Sequence, residues 1–368
     1  MQENGNNKDN RKTNSYNKRS EYLKTRADQH TKKPKTRSDE PVETAADNIL
    51  GYAIPLAIVA MALIVVIIVV LITKWSKGRD INVSDVQLSE DYSTESLDWY
   101  AHFDPNENED YVDDGVYNIL IIGDDTIYNY NDETGIPALI ANATGANVQV
   151  LALPGASIAL STSSYTPDNP KEAYSLIYQA AQVAGRNFSL YDVATPLITD
   201  SGSLYADYYA QLSSIDFDSI DVLIICMGMN DYINARPIEV TTTTNDKSDY
   251  GNLWIALDMS VRFFISEYPN MQVIYSTPTY FMVPDAAGHM VGADTQSNGV
   301  STFADYVTHM SNVCSTERVT FVDNLFGFGI DETNASAFLT EDLKYPNAET
   351  RQRIADHIVS FIYFVRNK

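Results

Sequence analysis

The residues best suited to chemistry lie just past apolar runs. NILIIG (118–123) ends in Gly123 and meets two adjacent carboxylates, Asp124 and Asp125, followed by Thr126. NVQVLAL (147–153) runs into Pro154-Gly155-Ala156-Ser157, and DVLIICM (221–227) into Gly228-Met229-Asn230-Asp231. Nearer the C-terminus, Glu341-Asp342-Leu343-Lys344-Tyr345-Pro346-Asn347 precedes an amphipathic stretch. Carboxylates serve as acids, bases or nucleophiles, and backbone N–H groups beside glycines can hold developing negative charge.

Five short runs read as strands: 117–122, 147–153, 221–227, 271–277 and 318–324. Most are continuous Val/Ile/Leu, as expected of strands buried on both faces. Helical stretches near 132–145, 171–185, 252–268, 298–315 and 347–365 alternate with them. That alternation predicts a three-layer α/β/α domain around a parallel five-stranded sheet. Ligands of such sheets bind outside the carboxyl ends of the strands, where the residues named above must gather.

The order of these blocks resembles the SGNH hydrolases, the GDSL esterase/lipase family, over roughly residues 115–368. The resemblance implies a flavodoxin-like fold. It implies that the position of Asp125 is that of the nucleophilic serine and that of Tyr345 the catalytic histidine. Gly155 and Asn230 would form the oxyanion hole, Asp342 would be the orienting acid, and Gly123, Asp124, Gly228 and Asp231 would be supporting positions. No cofactor or metal is implied. A cation held by Asp124, Asp125 and Asp231 would suit Mg²⁺ or Ca²⁺, but Asp124 and Asp231 are family positions usually bonded to backbone.

Two of these positions depart from the family pattern, and both are bond-making ones. A carboxylate at 125 has no proton to lose at neutral pH and repels a developing oxyanion. A tyrosine at 345, with an ordinary pKa near 10, stays protonated at pH 7 and is a poor general base. Loss of one triad member removes orders of magnitude of rate. The expectation is a degenerate hydrolase, with Asp125 and Tyr345 joined by a hydrogen bond. An active esterase with a non-standard nucleophile is the alternative, with Thr126 as hydroxyl, or Lys344 or His289 as base; a structural surface scaffold is a third. Tyrosines clustered near loops, among them Tyr128, Tyr205, Tyr209 and Tyr232, suit sugar faces. The expected ligand is an acylated or acetylated cell-wall or capsule polysaccharide.

Charge divides the chain of 368 residues unevenly. Residues 1–48 carry 11 Lys/Arg against 8 Asp/Glu, and Lys74, Lys77 and Arg79 add three more cations, so the total of −24 leaves −30 for the remainder. Nucleic acid, which needs clustered cations, is excluded as a partner. Ile49–Thr73 carries no charge over 25 residues, enough to span about 30 Å of hydrocarbon at about 1.5 Å per residue. The organisation expected is therefore a disordered cytoplasmic tail (1–48), a membrane helix (49–73), an acidic stalk (74–114) and the hydrolase-like domain (115–368). The basic tail favours an inside N-terminus and an extracellular domain. Two cysteines, Cys226 and Cys314, read as buried small hydrophobes.

Overall fold

A computed structural model of the protein describes residues 115–238 and 248–366, together with Met61. The chain divides into two units, Met1–Arg79 and Asp80–Lys368, and every element below belongs to the second. Met61 apart, the expected tail, membrane span and stalk lie outside the described residues. Among the described residues no helix is long and apolar enough to cross a membrane.

β1 (Asn118–Gly123), β2 (Asn147–Ala152), β3 (Val222–Cys226) and β4 (Gln272–Ser276) form one parallel sheet with a fifth strand, Thr320–Val322. The spatial order is β2-β1-β3-β4 and then that fifth strand. This is the flavodoxin-like order, with the chain reversing direction across the sheet beside β1. Between β4 and the fifth strand a small antiparallel hairpin intervenes, Met282–Pro284 against Met290–Gly292.

Central position explains the apolar runs. Ile119–Ile122 of β1 and Val222–Ile225 of β3 are essentially without exposure, because helices cover both faces. β2 departs from this expectation: Val148, Gln149 and Val150 are only half-buried, since it is an edge strand. Helix α1 (Asp125–Asn129) is a single short turn after β1, and α2 (Ile136–Thr144) leads to β2. Helix α3 (Leu176–Ala184), α4 (Ser189–Ala194) and α5 (Gly202–Ser214) fill the crossover to β3. After β3 come α6 (Met229–Ile233), α7 (Leu253–Glu267) and, beyond the hairpin, α8 (Phe303–Glu317). The short α9 (Ala335–Phe338) and the longer α10 (Ala348–Phe361) complete the domain. α2 packs on α10, while α3 packs on α7 and α7 on α8.

Several ends are set by local chemistry. Asn252 caps α7 by accepting from the N–H groups of Trp254 and Ile255, and Thr302 with Asp305 forms a capping box on α8. The helix α5 was not legible as a helix. Its buried side is made of Tyr205, Tyr208 and Leu212, so no aliphatic stripe marks it.

Candidate functional site

Gly123 ends β1 because a side chain there would collide: a Cβ would stand 2.4 Å from Ile127 Cγ1. The next residue, Asp124, is buried and caps α1, its Oδ1 accepting from the Thr126 N–H at 3.1 Å. Its Oδ2 is buried without a partner. Burial first, then the charge of Asp125, pushes the Asp124 carboxyl up to about 8. Asp124 therefore carries a proton through neutral pH.

Asp125 is half-buried and makes the decisive contact of the site. Its Oδ2 accepts from the Gly155 N–H at 2.8 Å and from Asn230 Nδ2 at 2.7 Å. These are the two donors expected to form an oxyanion hole. On the roles that the resemblance implies, the carboxylate occupies the place where the negatively charged oxygen of an acyl-transfer intermediate would be held. Two donors converging on one ionised oxygen make short, strong, charge-assisted bonds.

Each donor is fixed by its loop. Gly155 lies in a turn after β2 with φ +75°, a left-handed conformation that glycine adopts without penalty. Asn230 Nδ2 also donates to the Ala156 carbonyl at 2.9 Å, which ties the β2 and β3 loops together. Asp231 strengthens this tie from within the core. It accepts from the N–H groups of Ile158 and Ala159, both at 2.9 Å. Burial raises its carboxyl to about 6, the two N–H donors opposing the shift.

Gly228 opens the turn with φ +124°. A Cβ there would stand 2.6 Å from Met310 Cε and 3.0 Å from Tyr275 Oη, and Tyr275 Oη is held in place by donating to the Met227 carbonyl. Gly228→Ala is expected to cost about 2–3 kcal/mol of stability, from a strained φ and overpacking together. A urea titration of the variant checks this; an unchanged midpoint would mean that the turn relaxes freely.

The C-terminal block approaches from the opposite side but does not rebuild a triad. Leu339 and Pro346 form an isolated antiparallel bridge, and the Thr340 N–H donates to the Tyr345 carbonyl at 2.8 Å. The exposed Asp342 accepts from Thr340 Oγ1 and the Lys344 N–H. In this arrangement it organises its own turn. The Tyr345 ring meets Tyr130 edge-on at 6.1 Å between centroids. Lys344 Nζ lies over that ring, 5.0 Å from its centroid. Burial raises the Tyr345 hydroxyl above its ordinary value against the pull of Lys344. Among the described residues no hydrogen bond joins Asp125 to Tyr345. The expected bond is not formed; Asp125 Oδ2 is instead engaged by Gly155 and Asn230.

The alternative groups are placed as follows. Thr126 follows the turn, its N–H taken by Asp124, and it is residue 125, not 126, that meets the hole. Burial pulls the Lys344 ammonium down, but Tyr345, Asp125 and Asp342 outweigh it and raise the group, which leaves it charged and unfit as a base. His289 sits at the hairpin with its side chain 79% exposed, 3.5 Å from Asp285 Oδ2. Both cysteines are free, Cys314 buried and Cys226 half-buried at the end of β3. Burial raises the Cys226 thiol to about 12, so it is inert as a nucleophile. Among the described residues no group of three or more His, Cys, Asp or Glu side chains could hold a metal ion.

One cluster escaped the sequence analysis. Glu172, Arg236, Lys171 and Tyr205 line a cavity that begins at Gly155. No spacing signals it, because its residues come from the 3₁₀ turn Pro170–Tyr174, the loop after α6 and helix α5.

No family model matches the chain, and no curated protein is similar to it in sequence. Several solved structures are similar. A protein from Lactobacillus plantarum is 14% identical, covering 67% of this chain and 96% of its own, with a TM-score of 0.45. The acetyl xylan esterase AlAXEase is 12% identical over 67% of this chain and 100% of its own, at 0.41. A GDSL-like lipase from Bacteroides ovatus is 10% identical over 69% and 99%, at 0.39. At such identities a likeness carries no chemistry. The strand order is the flavodoxin-like one, and Gly123-Asp124, Gly155 and Gly228-x-Asn230-Asp231 gather at the carboxyl edge of the sheet, as the resemblance to the SGNH hydrolases implied.

Proposed function

We propose that the protein is a membrane-anchored, outward-facing SGNH hydrolase-like protein that does not hydrolyse esters and instead binds cell-surface glycan. One observation carries the loss of catalysis: Asp125 Oδ2 takes both donors of the hole. A substrate carbonyl entering there must displace an ionised carboxylate and then develop its own negative charge beside it. Tyr345, held under Lys344, offers no base. The anchor rests on the uncharged run Ile49–Thr73 and the basic segment before it. The glycan rests on the cell-surface placement and on the polar crevice beside Gly155. An acyl group loses its receptor in this arrangement, so the polysaccharide itself, of wall or capsule, is the ligand.

The test is hydrolysis of p-nitrophenyl acetate by the full chain in detergent micelles. The expected rate is that of buffer, and Asp125→Ala leaves it there. Saturable turnover by the native chain that Asp125→Ala abolishes would instead establish an esterase with a carboxylate nucleophile.

A further inference from the structure

The turn that bonds Asp125 through Gly155 also walls a cavity of about 280 Å³, lined by Ser175, Glu172, Arg236, Lys171, Tyr205 and Asn234 among others. A second, wider cavity of about 610 Å³ shares Lys171, Glu172, Asn234 and Arg236 with it. The two form one crevice leading away from the hole. Its inner part lies at the small end of ligand pockets, which hold about 300–1,000 Å³.

The charges of this crevice are already matched. Lys171 Nζ pairs with Asp200 at 2.6 Å, and Arg236 Nη2 with Glu172 Oε1 at 3.4 Å. Asp168 adds a further carboxylate to the outer wall. No cation is left over for a phosphate or carboxylate ligand, and the wall is too polar for an acyl chain. Three buried polar atoms of the wall residues have no hydrogen-bond partner: Glu172 Oε2, Arg236 Nε and Ser175 Oγ. One accepts, one donates, and one does both. An unpaired buried polar atom is costly and asks for an explanation in a native structure. A hydroxyl, which both donates and accepts, is the chemical group that can complement an acceptor, a donor and another hydroxyl.

We propose that this crevice binds a neutral, hydroxyl-rich ligand, one or two sugar residues of a glycan chain, through Glu172, Arg236 and Ser175. The proposal rests on the non-hydrolytic, glycan-binding function proposed above and locates its site. Recognition is by hydroxyls alone, so the sugar need carry neither ester nor charge.

Saturation-transfer NMR on the full chain in detergent micelles tests this. The probes are uncharged tetrasaccharides of glucose, xylose, mannose, galactose and N-acetylglucosamine, with trimetaphosphate as the anionic probe. At least one tetrasaccharide is expected to bind with a Kd below about 10 mM, a few kcal/mol of affinity. Asn234 is exposed and lines both cavities, so Asn234→Trp should block the crevice without disturbing the core and abolish the signal. Ser175→Ala, at a helix N-terminus where the side chain makes no capping bond, should weaken binding about three- to tenfold. The proposal is overturned by a Kd above 10 mM for all five sugars, by binding that survives Asn234→Trp unchanged, or by binding of trimetaphosphate alone. Ester turnover is measured separately, so an active esterase would sink the non-hydrolytic function without touching this site.

Discussion

An Asp125→Ser/Tyr345→His double variant is expected to hydrolyse p-nitrophenyl acetate about 100-fold faster than the native chain. Serine at 125 removes the carboxylate from Gly155 N–H and Asn230 Nδ2, returning two preorganised donors to an incoming oxyanion. Such donors are worth about 10²–10³ each in rate. Their positions should persist, because Asn230 is also held by the Ala156 carbonyl, and Asp231 pins the β2 loop independently. A histidine at 345 then supplies the base. The gain falls short of a full triad's because Asp342 is exposed and bonded to Thr340, leaving the imidazole without an orienting acid. Asp125→Ser alone should gain only about tenfold, because its hydroxyl is a nucleophile that alanine lacks but has no base beside it. If the double variant folds normally and turns over no faster than the native chain, occupancy of the hole is not what silences the site.

Asp124→Asn is expected to stabilise the domain by about 5 kcal/mol at pH 8 and to leave it nearly unchanged at pH 4. The sign follows from burial. The carboxyl is pushed up from 3.8 to about 8 by desolvation, aided by Asp125, so the folded protein holds this proton more tightly than the unfolded chain. The associated stability is fully present below about pH 4 and is lost as pH rises through 8. Asp231, raised to about 6, acts in the same direction over the lower part of this window. Carboxylates shifted downward, such as Asp132, Asp200 and Asp285, act oppositely but complete their titration below it. Asparagine keeps the acceptor for the Thr126 N–H and carries no charge. Urea unfolding of both chains at pH 5, 6.5 and 8 reads the slope. An equally steep loss of stability in Asp124→Asn would show that Asp124 is not the group responsible.

How far the sequence reaches can be judged strand by strand. The runs 117–122 and 221–227 were legible because central parallel strands are buried on both faces and must be apolar throughout. Gly123, Gly155 and Gly228 were legible because a close contact or a positive φ admits little else. The blocks behind these strands fall where expected, since a parallel sheet delivers all its carboxyl ends to one edge. Helix α5 was missed, because tyrosines rather than aliphatic residues face its core.

What the residues by themselves determined is the fold class, the edge where a site must lie, and the residue types that stand there. Residue types and their spacing along a strand carry that much, because periodicity and local sterics act between near neighbours. Tertiary structure alone decided where the carboxylate of Asp125 goes. Its partners stand 30 and 105 residues away, and the choice between Tyr345 and the two hole donors depends on distances that no local pattern encodes. The raised carboxyl of Asp124 and the crevice walled by Glu172, Arg236 and Ser175 belong to the same class: burial and convergence are properties of the packed chain and arise between residues far apart in the sequence.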